Sequence, residues 1–286
     1  MSSPPTTSAL AKFYAAEAGK IRQKFEATGN GLAAVEERAA LVDSVLRQLC
    51  RGFFAAEVTG VCLAALGGYG RGVLFPHSDV DILFLFENSR AEVQHKPAAA
   101  GVYQALWDLG LRVGQAARTL VECERLQQDN SEFNIALVDC RYLAGDEPLF
   151  ARLRNQVLPE MVARERHELV RDLARLTRPR HAKHSHTIFH LEPNLKDAPG
   201  GLRDFDVACW LERIAELKKD RGRASSEDLP ALDPECRSAV EFLSAARCFL
   251  HYRQGRDDNV LTYELQSEAA SRGIGGRPGG AVAVGH

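Results

Sequence analysis

The stretch LGGYGRGVLFPHSDVDILFLF, residues 66–86, decides the fold. It begins with a glycine-rich turn, continues through a short connection, and enters a strongly apolar run at Ser78-Asp79-Val80-Asp81. Successive side chains of a strand point to opposite faces, so Asp79 and Asp81 are predicted to share one face of a buried strand. Two neighbouring carboxylates repel each other there and lose hydration, which a bound cation would relieve.

The two aspartates are candidate ligands of Mg²⁺, because this cation prefers carboxylate oxygens and also bridges to nucleotide phosphates. The glycines ahead of them, Gly67, Gly68 and Gly70, would let backbone N–H groups approach those phosphates closely. Each motif alone has an ordinary explanation, since a lone D-x-D often caps a strand in solvent and a lone GG-x-G is often only a turn. Their combination, followed by the apolar residues 82–86, favours a metal-assisted phosphate site.

The same stretch resembles the signature of the DNA polymerase β-like nucleotidyltransferase superfamily, in which a GG or GS turn is followed by D-x-D. More narrowly, GGYGRGVLFPHSDVDIL resembles the bacterial PII uridylyltransferase/uridylyl-removing enzymes. A second stretch, LEPNLKDAPGGLRD at 191–204, resembles another motif of that family. Two long matches in the right order make this resemblance specific.

The resemblance implies transfer of UMP from UTP to a tyrosine hydroxyl of a PII signalling protein, with release of pyrophosphate. Asp79 and Asp81 would then be the catalytic residues that hold Mg²⁺. The expected nucleotide-binding residues are Gly67, Gly68, Gly70, Arg71, Ser78, Lys196 and Arg203. Arg71 has an alternative interpretation as a surface turn charge, and no residue is recognisable as a reader of uracil, so another base or acceptor stays open.

The second motif allows two interpretations of similar weight. Gly200-Gly201 is predicted to turn sharply into a helix near Leu202, whose free N–H groups, with the nearby Lys196 and Arg203, would meet an anion. Alternatively, the segment is a rigid loop that docks the helical part on the sheet. The preceding histidines, His181, His184, His186 and His190, match no standard set of metal ligands, so a polar loop is expected.

Residues 111–119, LRVGQAART, are predicted to form a third strand, and here the chain departs from the family pattern. Family members tend to read L-E-V-G-H-S-V-R-T, so Arg112 stands where a third carboxylate is expected. Asp108 is close in sequence but falls in the preceding predicted helix, so it is a weak substitute. Because that carboxylate helps to hold metal and to orient the attacking hydroxyl, the alternative hypothesis is a weak or inactive nucleotidyltransferase-like fragment that binds nucleotide or PII.

The composition narrows the class of protein. A chain of 286 residues, 45% of them hydrophobic, can bury the core of one large or two modest domains. A net charge of −2 provides no basic footprint for nucleic acid, and no apolar run reaches the ~18 residues of a membrane span. The N-terminal residues do not have the pattern expected of a secretory signal, and the seven cysteines include no C-x-x-C pair. We therefore expect a cytoplasmic protein with reduced thiols and no nucleic-acid or membrane partner.

The apolar periodicity and the resemblance together predict an α+β fold: a small mixed β-sheet nucleotidyltransferase core flanked by helices, followed by a helical domain. Predicted helices span 8–26, 33–56, 91–109, 131–143, 147–177, 203–220 and 234–254, and predicted strands lie at 58–66, 78–86 and 111–119. The expected divisions are N-terminal helices at 1–57, the core at 58–147, the helical domain at 148–270 and a disordered Gly-rich tail at 271–286. The HD uridylyl-removing domain and the ACT glutamine-sensing domains of the family are expected to be missing.

Overall fold

A mixed sheet places the glycine-rich turn and the two aspartates at its centre. The computed structural model describes residues 7–219 and 233–276, and within them one sheet has the strand order β3-β2-β1-β4. Its strands are β1 (Val61–Ala65), β2 (Val80–Phe86), β3 (Val113–Thr119) and β4 (Arg141–Gly145). Strand β1 pairs antiparallel with β2 and with β4, whereas β2 and β3 run parallel. The predicted α+β class with a small mixed sheet is confirmed.

Helices cover both faces of this sheet. They are α1 (Thr7–Thr28), α2 (Gly31–Phe53), α3 (Gly67–Gly70), α4 (Ser89–Asp108), α5 (Ser131–Val138), α6 (Glu147–Arg152), α7 (Leu158–Ala182), α8 (Leu202–Lys219), α9 (Pro234–Gln254) and α10 (Tyr263–Ser271). A π-helical turn over Leu153–Val157 joins α6 to α7. None of the helices in the described ranges is both long and apolar enough to cross a membrane.

The alternation of side chains along the central strands builds two cores. Ile82 and Phe84 pack with α2 and α4 on one face, whereas Leu83 and Leu85 pack with α5, α7 and α8 on the other. Both faces of β2 are therefore buried, which explains its continuous apolar run after Asp81. A third cluster joins α2 to α9, where a Cβ added to Gly31 would lie 2.3 Å from the Ala245 nitrogen.

The prediction of a helix over 131–143 is wrong in its second half. Helix α5 ends at Val138, and Arg141–Gly145 forms the edge strand β4. The five residues of β4 carry too short a pattern to separate strand from helix by periodicity, and their pairing with β1 is a long-range contact. Glu122 accepts hydrogen bonds from the Thr119 N–H and hydroxyl and so stabilises the 3₁₀ turn over Val121–Glu124.

The glycine-rich tail is only partly described. Residues 271–276 complete α10 and a hydrogen-bonded turn in which the Ile274 N–H donates to the Ala269 carbonyl, so the expected disorder does not begin at 271. Residues 277–286 lie outside the described residues, as do residues 220–232, which include the last residue of the helix predicted over 203–220. The domain boundaries stay predictions.

Candidate nucleotide-binding site

The glycine-rich turn directly contacts the second aspartate. After β1 the chain makes one turn of helix, α3, and the Leu66 N–H donates to the Asp81 carbonyl at 2.9 Å. Gly67 has a φ of +55°, and a Cβ there would lie 3.9 Å from Asp81 Oδ2. The left-handed backbone favours glycine at this position, and it keeps the space beside the carboxylate open.

Asp81 is half-buried, and its carboxylate is electrostatically unfavourable in the free protein. Burial, followed by the charge of Asp79, raises the pKa of Asp81 to about 6, although Arg203 and Lys196 act in the opposite direction. Its partner across the parallel ladder is Gly114, where a Cβ would lie 1.9 Å from Asp81 Oδ1. The Asp81 carboxylate therefore lies in space that a side chain at position 114 of β3 would fill.

Asp79 lies just before β2 and is paired with the basic residue at the family's expected carboxylate position. Arg112 Nε is 3.0 Å from Asp79 Oδ1, and its guanidinium also donates to the His77 carbonyl. The Val80 N–H donates to the Arg112 carbonyl at 2.8 Å, which fixes residue 112 beside Asp79 across the parallel strands. The sequence change at 112 thus brings a cation directly to the first aspartate.

A cleft of about 830 Å³ opens at Asp81. It is lined by Gly67, Gly68, Asp81 and Arg203 among the predicted site residues, and also by basic and apolar side chains that the sequence did not single out. The basic group comprises Arg118, Arg180 and Lys183, and the apolar group includes Phe133, Leu173, Leu176 and Trp210. A cleft that is lined by both cationic and apolar side chains can bind a ligand that carries phosphates and an aromatic base.

Four predicted nucleotide-binding residues have other partners. Gly70 packs so closely that a Cβ would lie 2.0 Å from the Asp139 carbonyl oxygen. Ser78 Oγ accepts from the Arg247 guanidinium at 3.2 Å, and Lys196 Nζ lies 3.7 Å from Asp257. These residues, and Arg71, do not line the cleft.

Arg71 is a buried structural cation and not a surface turn charge. Its guanidinium forms ion pairs with Asp139 and Asp206 and lies 5.4 Å from the centre of the Trp210 ring. The side chain is 11% exposed, and the Asp139 side chain is 7% exposed. Arg71 therefore ties the glycine-rich turn to α8 and to the segment before β4.

The second motif is a docking loop whose helix start is already satisfied. The N–H groups of Leu202 and Arg203 donate to the Leu195 and Lys196 carbonyls, both at 2.9 Å, so the expected free donors for an anion are occupied. Asp204 accepts from the Gly200 N–H at 2.8 Å and pairs with Arg180 and His181 at the end of α7. Of the two interpretations, these contacts favour the docking loop, which nevertheless presents the Arg203 side chain to the cleft.

The donor set of Asp79 and Asp81 fits a Mg²⁺ ion that takes its other ligands from water and phosphates. No cluster of three or more His, Cys, Asp or Glu side chains suited to a metal occurs within residues 7–219 and 233–276. Mg²⁺ is commonly held by one or two carboxylates together with substrate phosphates. Burial and then the charge of Asp79 both raise the pKa of Asp81, and a positive ion beside the two carboxylates would relieve that repulsion.

Comparison with known proteins divides the chain into two matched segments. Residues 49–141 match the family described as nucleotidyltransferase domain, and residues 167–281 match the family described as GlnD PII-uridylyltransferase. A bifunctional uridylyltransferase/uridylyl-removing enzyme from Azospirillum brasilense is 35% identical over 265 residues, 88% of this chain. Enzymes of the same name from Ectopseudomonas mendocina and Rhodospirillum rubrum are 34% and 31% identical over 83% and 88% of this chain. The chain spans only 26 to 28% of the length of these relatives.

Proposed function

We propose that this chain, a relative of the bifunctional uridylyltransferase/uridylyl-removing enzymes over most of its own length, transfers UMP from UTP to a tyrosine of a PII protein. The observation that carries the proposal is the hydrogen bond from the Leu66 N–H, at the start of the glycine-rich turn, to the Asp81 carbonyl, beside the cleft that Gly67, Gly68 and Asp81 line. The names of the relatives support uridylyl transfer as the reaction. The cationic side chains that line the cleft support the binding of a triphosphate there.

In the proposed reaction, the tyrosine oxygen forms a bond to the α-phosphorus of UTP while the bond to the β-phosphate oxygen breaks. Pyrophosphate leaves, and the tyrosine proton passes to solvent or to a carboxylate. Arg203, Arg180 and Lys183 at the cleft would hold the negative charge of the phosphates through charge-assisted hydrogen bonds. Gly67 and Gly68 leave space for the phosphates to lie close to the backbone.

Asp79 and Asp81 would hold the Mg²⁺, which supplies charge neutralisation for the displacement when it is bound. Asp81 is already oriented by its position in β2 opposite Gly114. Asp79 holds Arg112 through Oδ1, so the metal would bind through Oδ2 or displace the guanidinium. A displaced Arg112 side chain, 58% exposed, would keep the His77 carbonyl and Asp257 as neighbours or turn towards a phosphate oxygen.

A second candidate function follows from the Arg112–Asp79 contact. If that ion pair persists in the presence of Mg²⁺, the chain binds nucleotide, or PII, without transferring UMP. The observation that favours this alternative is the basic side chain at the position where the family tends to carry an acid.

Incubation of the chain with labelled UTP, Mg²⁺ and a PII protein separates the two functions. Label on PII supports the transferase, whereas nucleotide binding without transfer supports the binding module. Asp79→Asn and Asp81→Asn should each abolish Mg²⁺-dependent transfer while preserving the circular-dichroism spectrum and the thermal midpoint. Transfer at the wild-type rate by the double variant would contradict the assignment of both aspartates.

A further inference from the structure

A second pocket, distinct from the cleft, has a strongly basic lining. It measures about 510 Å³ and lies between α1, α2, the segment before β2 and the end of α9. Its cationic and aromatic lining comprises Arg22, Arg38, Arg112, Arg256, Tyr14 and Tyr252, and we call it the basic pocket. Asp257 is the one acidic side chain in that lining. None of the residues assigned above to the nucleotide cleft is needed to form it.

Arg38 is the unusual member of this pocket. It is 9% exposed, its Nε donates to the Phe75 carbonyl at 3.2 Å, and its Nη1 donates to the Tyr14 hydroxyl at 2.7 Å. Among the residues that the structure describes, Arg38 forms no ion pair with a carboxylate, and both of its hydrogen-bond partners, a carbonyl and a phenol, are neutral. A buried guanidinium without a counter-charge is costly, and a bound anion would remove that cost.

The acids near the pocket are already committed to other cations. Asp257 lies 3.2 Å from Arg247 and 3.7 Å from Lys196, so its negative charge is already shared between two cations, and the His251 imidazole lies 3.0 Å away. Acidic side chains outside the lining form ion pairs with the exposed arginines at the rim: Glu26 pairs with Arg22, Asp258 with Arg256 and Asp79 with Arg112. Arg38 therefore remains without a neutralising acid at the inner wall.

The two tyrosines hold arginines in place. The Arg38 guanidinium lies 5.9 Å from the centre of the Tyr14 ring, and the Arg22 guanidinium lies 5.6 Å from that of Tyr252. Tyr252 is itself supported by Phe25, whose ring centre is 5.5 Å away. Guanidinium groups fixed on aromatic faces are suited to forked recognition of phosphate or carboxylate oxygens.

We propose that the basic pocket binds a small oxyanion, the phosphate or carboxylate group of a polar molecule, with Arg38 as its central ligand and Arg22 and Arg256 at the rim. This site is independent of the proposed transferase function. It shares Arg112 with the ion pair at Asp79, so the bound anion lies near the candidate metal carboxylates without forming part of the nucleotide cleft.

The test is calorimetric titration of the full chain with inorganic phosphate and, separately, with succinate, without divalent metal and at constant ionic strength. We expect at least one anion to bind with one-to-one stoichiometry. Arg38→Gln should weaken that binding about tenfold or more, because it removes a charge-assisted fork. Arg90→Gln on an exposed part of α4 should leave it unchanged, and in Arg203→Gln, which weakens any phosphate binding at the nucleotide cleft, the binding at the basic pocket should remain.

A double variant of exposed pocket residues provides a second test in case Arg38→Gln does not fold. Arg22 and Arg256 have side chains 53% and 72% exposed, so Arg22→Gln/Arg256→Gln should fold and should bind the anion several-fold more weakly. The proposal is overturned if neither anion binds at concentrations up to about 10 mM. It is also overturned if Arg203→Gln abolishes the binding, or if the folded pocket variants bind as tightly as the wild type.

Discussion

Replacing Arg71 by alanine should destabilise the fold more than it weakens nucleotide binding. The guanidinium is buried between Asp139 and Asp206, and the Trp210 indole N–H also donates to Asp139. Arg71→Ala leaves Asp139 without its cation, whereas Asp206 keeps the Arg203 guanidinium 3.6 Å away. Breaking a buried ion pair by removing one partner typically costs about 3–5 kcal/mol, because the remaining charge is left uncompensated.

The individual contacts would by themselves give a larger loss, since each charge-assisted hydrogen bond contributes about 1.5–3 kcal/mol and the contact with the Trp210 ring about 0.5–2 kcal/mol. Removal of Arg71 also removes the cost of burying its guanidinium, so the net loss stays within the range for a broken ion pair. Asp206 is 21% exposed, so water recovers part of its loss, whereas Asp139 at 7% is hardly reached by solvent. The lower half of the 3–5 kcal/mol range, about 3–4 kcal/mol, is therefore expected.

Urea unfolding followed by circular dichroism measures the loss in the free energy of unfolding. Titration with a labelled triphosphate in the absence of urea measures nucleotide binding. Arg152→Ala is the matched control, because it removes an arginine whose ion pair with Glu87 is half exposed, and it should cost less than about 1 kcal/mol. The structural assignment is wrong if the free energy of unfolding of Arg71→Ala lies within about 1 kcal/mol of the wild-type value while its triphosphate affinity falls at least tenfold. In that case Arg71 would bind the ligand.

Three further outcomes are expected. Gly114→Ala should keep the thermal midpoint but weaken Mg²⁺ binding in calorimetry, because the new Cβ displaces the Asp81 carboxylate and leaves the backbone in place; unchanged Mg²⁺ affinity would contradict this. Tyr69→Phe should lower the free energy of unfolding by about 1.5–3 kcal/mol, since it removes the buried hydroxyl that donates to Asp43 at 2.7 Å; a loss below about 0.5 kcal/mol would count against that bond. Burial alone would raise the pKa of Asp204, but hydrogen bonds from a guanidinium, a backbone N–H and an imidazole hold it below its usual value. Its stabilisation is therefore complete above about pH 4 and is lost as the pH falls further, so Asp204→Asn should flatten the acid limb of thermal midpoints recorded between about pH 2 and 5; an unchanged limb would refute the assignment.

The sequence predicted those features that depend on local patterns. The apolar run after Asp81 predicted a buried strand, and the D-x-D with its preceding glycines predicted a site that the fold does bring together at Asp81, Gly67 and Gly68. The glycine-rich turn was identified because its residue types are needed for close backbone approach.

Features that depend on distant partners were not predictable in this way. Arg71 carries no local sign that Asp139 and Asp206, far along the chain, neutralise it. Strand β4 exists because β1 offers it an edge, which no five-residue pattern reveals. Arg38 was not singled out, since one arginine in an amphipathic helix is indistinguishable from a surface charge until its burial is known.

The measurement that tests the central claim most directly is calorimetric binding of UTP, ATP, GTP and CTP to the wild type and to Asp81→Asn, each with and without Mg²⁺. The proposed function predicts that UTP binds most tightly, that Mg²⁺ strengthens its binding, and that Asp81→Asn removes the Mg²⁺-dependent part while the protein remains folded. Equal binding of UTP by wild type and Asp81→Asn, in the presence and absence of Mg²⁺, would contradict the assignment of the cleft at Asp81 as the nucleotide site.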